Sequence, residues 1–136
     1  MVERILTETV TESVHFDSNA ADAFRVASDA SLIPSWAPDF AREIRRIRDD
    51  EWQVTRGDER FNLRVIADEE SGTIDFVRHV APGVSGGARL RIAGDLDGGC
   101  VVRMTAPITG GSTAEAVATI VRSELLALRG LVDRNQ

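Results

Sequence analysis

The sequence predicts an α+β fold: an antiparallel sheet with one apolar face, covered by a long C-terminal helix. Three observations predict it. Apolar and polar residues alternate through successive stretches up to residue 106. Turn signals separate those stretches at short intervals, which implies antiparallel neighbours. From residue 114 the apolar spacing changes from two to that of a helix. The 136 residues are the size of one domain with one core, so the domain spans 1–136.

The elements follow in order. Residues 5–16, "ILTETVTESVHF", place Val10, Val14 and Phe16 on one parity, as a half-buried strand does. "DSNAADAFRVASD" then offers Ser18 or Asn19 as a helix N-cap, with Ala20, Ala23, Phe24 and Ala27 on one face. "SLIPSW" allows a second short helix, and Pro34 keeps it short or kinked because it disfavours helical geometry at Ile33.

The middle reads as six strands in a meander. "REIRRIR" (42–48) and "EWQVTR" (51–56) flank Asp49-Asp50. "ERFNLRVIAD" puts Phe61, Leu63, Val65 and Ala67 on one side, and Ser71-Gly72 makes a turn. "TIDFVRHV" is followed by "PGVSGG", read as a loop. "ARLRIAGD" and "CVVRMTA" flank Asp97-Gly98, a strong hairpin signal. Gly110-Gly111 break the chain. Ser112 and Glu115 suggest a capping box. Ala114, Val117, Ala118, Val121, Leu125, Leu128, Leu131 and Val132 then recur at helical spacing. A helix of about twenty residues is ~30 Å long, enough to lie across the whole sheet.

This order resembles the helix-grip fold of the START / Bet v 1-like (SRPBCC) superfamily, in particular its polyketide cyclase/dehydrase and lipid-transport group. The likeness covers nearly the whole chain. Its local signature is "AFRVASDASLIPSWAPDF", with Phe24 in the first helix, Asp29 at its end, Leu32, and Trp36 before the second strand. The resemblance implies a curved sheet of about seven strands gripping the long helix, two short helices after the first strand, and a cavity for an apolar or aromatic ligand. It also implies that Trp36, between Pro34 and Pro38, is mostly buried and plugs the pocket near the last turns of the C-terminal helix.

Composition excludes several chemistries. The net charge of -6 argues against nucleic-acid binding, which needs a basic face. All 16 basic residues are arginine and tyrosine is absent, so no Schiff-base lysine, P-loop lysine or catalytic tyrosine exists. His15 and His79 are the only histidines, and no metal-ligand spacing is present, so no metal and no cofactor are expected. The glycine-rich pieces lie between strands rather than at a phosphate-binding turn. No apolar run approaches twenty residues, so no membrane span is expected. The N-terminus has no signal-peptide pattern, and the single Cys100 reads as a small core residue. A cytoplasmic protein is expected.

Candidate site residues come from parity and aromatic content. Trp36, Phe40, Trp52, Phe61, Leu63, Phe76, Val121 and Leu125 could line a cavity, although each type serves more often as plain core. Arg78 shares the side of Ile74 and Phe76 and could bind an acidic ligand group. A strand-end arginine that reaches water is the commoner case. Asp75 and His79 take the opposite parity and could form an outer surface pair or, in a flipped strand, an acid/base couple. No catalytic set is recognisable. The leading expectation is binding of a small hydrophobic or aromatic ligand. A cyclase/dehydratase-type enzyme and a protein-interaction module of the co-chaperone or stress-related kind, with a possible homodimer, are the alternatives.

Overall fold

The computed structural model describes residues 8–81, 84–108 and 111–134. A strand β1 (Thr9–Phe16) leads into helix α1 (Ala20–Ala27), then a 3-10 turn (Ala30–Leu32) that runs directly into a one-turn helix α2 (Ile33–Trp36). Six strands follow: β2 (Glu43–Arg48), β3 (Glu51–Arg56), β4 (Glu59–Asp68), β5 (Thr73–Ala81), β6 (Val84–Gly94) and β7 (Cys100–Pro107). Helix α3 (Ala114–Asp133) is 20 residues long. The seven strands form one antiparallel sheet in the order β1-β7-β6-β5-β4-β3-β2. The meander from β2 to β7 is thus continuous, and β1 closes against its far end. The predicted part of the first strand before residue 8 lies outside the described residues.

Three local expectations are corrected. The loop "PGVSGG" is shorter than expected, because β6 already begins at Val84. Gly87 is the reason: with φ +143°, a Cβ there would sit 1.7 Å from the Phe76 carbonyl oxygen, so only glycine lets β6 run this close to β5. The cap of α3 is Thr113 rather than Ser112. Its extended backbone lets the Thr113 hydroxyl accept from the Ala116 N–H, one residue later than the expected capping box. Helix α2 is short, as expected, at a single turn, but Ile33 is itself helical (φ -53°, ψ -43°) despite the Pro34 that follows it.

The core lies between the inner face of the sheet and α3. Val14, Phe16, Leu63, Ile74, Leu90, Ile92, Val102 and Met104 come from alternating strand positions, and Val121, Leu125, Leu128 and Val132 from one stripe of α3. The stripe packs on β1, β7, α1 and α2. Cys100 is fully buried, and removal from water pushes its thiol up to about 11, with Asp133 and then Asp95 adding to the shift. The arginine-rich β2 is an edge strand, and its charged side chains stand in solvent. Such charge on an edge discourages pairing with another chain.

Candidate functional site

A cavity of about 340 Å³ opens between the sheet and the first half of α3. The sheet supplies Phe76, Arg78, Met104 and the glycine-bearing segment Gly86–Ala88. Trp36 of α2 and Phe40 beyond it form one end, while Val117, Ile120 and Val121 of α3 close the far side. Gly86 and Gly87 carry no side chain to project into this space, and at Gly87 the β6 backbone lies against the Phe76 carbonyl.

Of the sequence candidates, Trp36, Phe40, Phe76, Arg78 and Val121 meet at this cavity. Trp52, Phe61, Leu63 and Leu125 do not line it. Leu63 and Leu125 are fully buried core, and Trp52 lies half-buried near the sheet edge with the Arg46 guanidinium 5.8 Å from its ring. Phe61 forms a second layer. It meets Phe40 edge-on at 5.5 Å, and the Arg78 guanidinium stacks on it at 4.1 Å. Trp36 is buried, as expected, and meets Phe76 edge-on at 6.1 Å. The α3 residues that share the cavity with it are Val117 to Glu124, in the first half of the helix rather than its last turns. The last turn instead holds Ser18, through Asp133.

Arg78 does share the inner side, and it has a protein partner. Its Nη2 donates to Glu59 Oε2 at 2.5 Å, while Arg56 Nη2 donates to Glu59 Oε1 at 2.9 Å. Glu59 thus serves two arginines, both of which line the cavity. The hydrogen bond from Arg78, and then that from Arg56, hold the Glu59 carboxyl below its usual range. Asp75 and His79 lie elsewhere: Asp75 accepts from Arg91 Nη1 at 3.0 Å and His79 is exposed. Neither lines the cavity.

Two carboxylates complete the wall, Asp39 after α2 and Glu124 on α3. Burial pushes Glu124 up to about 7, and the charge of Asp39 raises it further in the same direction. Glu124 was not a sequence candidate, yet its position carried a signal. It stands seven residues after Val117, three after Val121 and four before Leu128, inside the apolar stripe. Two donors in the same wall have no partner among the described residues: Trp36 Nε1 and Arg78 Nε, both buried. The site is therefore a largely apolar chamber with a compensated arginine and a carboxyl whose pKa burial raises to about 7. Among the described residues no cluster could hold a metal ion.

No family model matches the chain, and no curated protein sequence does either. Solved structures match its fold. A START superfamily protein from Mycobacterium smegmatis is 13% identical with a TM-score of 0.71, the alignment covering 94% of this chain and 99% of that one. The Zhui aromatase/cyclase from a Streptomyces species is 15% identical with a TM-score of 0.64, covering 95% of both chains. The di-domain ARO/CYC BexL, from the BE-7585A biosynthetic pathway, is 19% identical with a TM-score of 0.69. That match covers 93% of this chain but 46% of BexL, so the chain corresponds to about half of that protein. Ara h 8.0201 is matched over 93% of this chain and 97% of its own, with 16% identity and a TM-score of 0.64. The chain has the helix-grip fold common to START and Bet v 1-like proteins.

Proposed function

We propose that this protein binds a small hydrophobic or aromatic molecule in the cavity between the sheet and α3. The observation that carries this reading is the chamber of about 340 Å³. Its volume lies in the range of small-molecule sites, and apolar walls with a few convergent polar groups are their usual lining. Close packing would otherwise favour a filled core, since empty apolar space forfeits contacts. Native mass spectrometry of protein purified from its own host tests the reading. A bound small molecule lost on Val121→Trp, which would occupy the chamber, is expected. A mass equal to the bare chain, together with failure to bind any of a panel of neutral aromatic probes, would overturn it.

A second reading is a cyclase/dehydratase-type enzyme acting on a polyketide-like substrate; the structural neighbour Zhui is described as an aromatase/cyclase. Glu124 favours it, because a carboxyl titrating near neutrality in an apolar chamber is suited to general acid or base work. Arg78 would then position a substrate oxygen. Turnover of a poly-β-ketone test substrate that survives Glu124→Gln unchanged would remove this role.

A further inference from the structure

The outer face of the sheet, turned away from α3, carries a second, shallow cavity of about 330 Å³ across β2, β3 and β4. Val54 and Phe61 are buried on the inner face, so Gln53, Thr55 and Arg60, their neighbours in sequence, stand on the outer one. Register sets the residues in two rows. Glu43, Thr55 and Arg60 lie side by side, and Arg45 pairs with Gln53 in the next row. All five line the cavity. Neighbouring strands are about 5 Å apart, so Arg45 on β2 and Arg60 on β4 flank Gln53 and Thr55 from either side.

Most of these polar groups are donors with nothing to serve. The side chains of Arg60 and Thr55 make no hydrogen bond or ion pair among the described residues, and both are open to solvent. Arg45 Nη2 donates to Gln53 Oε1 at 3.0 Å. That bond engages the amide's carbonyl oxygen and leaves its NH2 group to donate. The cavity therefore offers two guanidiniums, an amide NH2 and a hydroxyl. Its one charged acceptor is the Glu43 carboxylate on the edge strand, which has no ion-pair partner among the described residues. Four donor groups outnumber the two oxygens of a carboxylate and match the three free oxygens of a phosphate monoester, which guanidiniums bind with paired N–H bonds. The net charge of -6 repels an extended polyanion, whereas a single compact group meets chiefly its immediate neighbours, because salt screens the rest.

From this arrangement we infer that the outer face of β2, β3 and β4 binds one phosphate group, held by Arg45, Gln53, Thr55 and Arg60, with Glu43 limiting its affinity. The site is separate from the chamber under α3, and the inference does not rest on the binding reading above.

Calorimetric titration of the whole chain with inorganic phosphate, phenyl phosphate and benzoate, in about 0.15 M sodium chloride, tests it. Arg60→Gln is expected to weaken phosphate roughly tenfold, the yield of a charge-assisted hydrogen bond. Glu43→Gln should tighten it severalfold by removing a like charge. Arg89→Gln removes the same charge from β6, where Arg89 is exposed on the same face but outside the cavity. That variant should change the affinity by no more than about twofold, as an exposed charge at a distance does. Benzoate should bind at least severalfold more weakly than phenyl phosphate. Tighter binding of inorganic phosphate would mark a free anion as the occupant and tighter binding of the ester a phosphorylated small molecule; both support the site. Equal losses in Arg60→Gln and Arg89→Gln would reveal general attraction only and overturn it. So would a folded protein that takes neither phosphate. Benzoate binding as tightly as phenyl phosphate would overturn the assignment to phosphate.

Discussion

The Ser18 hydroxyl donates to Asp133 Oδ1 at 2.5 Å, and the Ser18 backbone N–H reaches the same oxygen at 3.3 Å, across 115 residues of sequence. Ser18 is 0% exposed. The pair ties the segment between β1 and α1 to the last turn of α3, so the helix that covers the sheet is anchored at its C-terminal end. Ser18→Ala removes the shorter bond and leaves a carboxylate oxygen under-served. A loss of about 1–3 kcal/mol is expected, read as a lower urea midpoint at unchanged slope. An unchanged midpoint would show that the clasp contributes nothing.

Glu124 makes stability depend on pH with an unusual sign. Its folded pKa, about 7, lies above the ordinary 4.5, so between these values the folded state holds a proton that the unfolded state has released. Its contribution is complete below about pH 4.5 and declines as pH rises towards 7. Asp95 and Glu59 act oppositely. Both are lowered, Asp95 chiefly by its hydrogen bond with His15 and Glu59 chiefly by that with Arg78, so their contributions are lost as the solution is acidified. Glu124→Gln should therefore stabilise the protein at pH 8 by up to about 3 kcal/mol and flatten the fall between pH 5 and 8. Thermal melts across that interval are the measurement, and parallel curves for the two proteins would refute the assignment.

Leu125 and Val121 are one turn apart on α3 but should respond differently. Leu125 is 0% exposed and does not line the cavity, so Leu125→Ala opens new empty volume and should cost about 2–5 kcal/mol. Val121 already faces the chamber, and Val121→Ala enlarges a space that exists. Its stability loss should be smaller, and the variant should accept bulkier aromatic probes than the parent. Denaturant titration and probe binding together decide this; a larger loss at Val121 would contradict the geometry.

Gly87 tests the close approach of β6 to β5. An alanine there meets both the unfavourable φ and the Phe76 carbonyl, so β5 and β6 must separate or rotate. Gly87→Ala should destabilise by at least about 2 kcal/mol. Amide exchange should quicken in β5 and β6 before it does in β1. Uniform exchange, with no local effect, would argue against a glycine-specific approach.

Much of the architecture was legible because it rests on periods. Alternation gave the strands, short turns gave antiparallel neighbours, and the apolar stripe gave α3 nearly to the residue. Parity put Arg78 on the side of Ile74 and Phe76 but left open whether it faces a cavity or reaches water. What parity could not give is position along the strand. Leu63 and Phe76 both face inwards, yet only Phe76 reaches the cavity, because the chamber lies where β6 carries glycines opposite β5. Glu59 as the partner of Arg78 needed the β4–β5 geometry, since 19 residues separate them. Asp39 had no signal at all: its meeting with Glu124 is a product of tertiary packing. Glu124 was readable as a carboxylate in an apolar stripe, a breach of pattern of the kind that often marks a site.

The place of β1 has a consequence for synthesis. Thr9 to Phe16 pair residue by residue with Pro107 to Cys100, so the strand made first adjoins the strand made last. On the ribosome β1 must wait while β2 to β7 are translated, on the order of ten seconds. During that wait Val14 and Phe16, later fully enclosed, have neither β7 nor α3 to cover them. The meander can form progressively as it emerges, but its closure cannot. Within this domain β1 is thus the strand left uncovered longest, and a slowed elongation between residues 16 and 100 would lengthen that exposure.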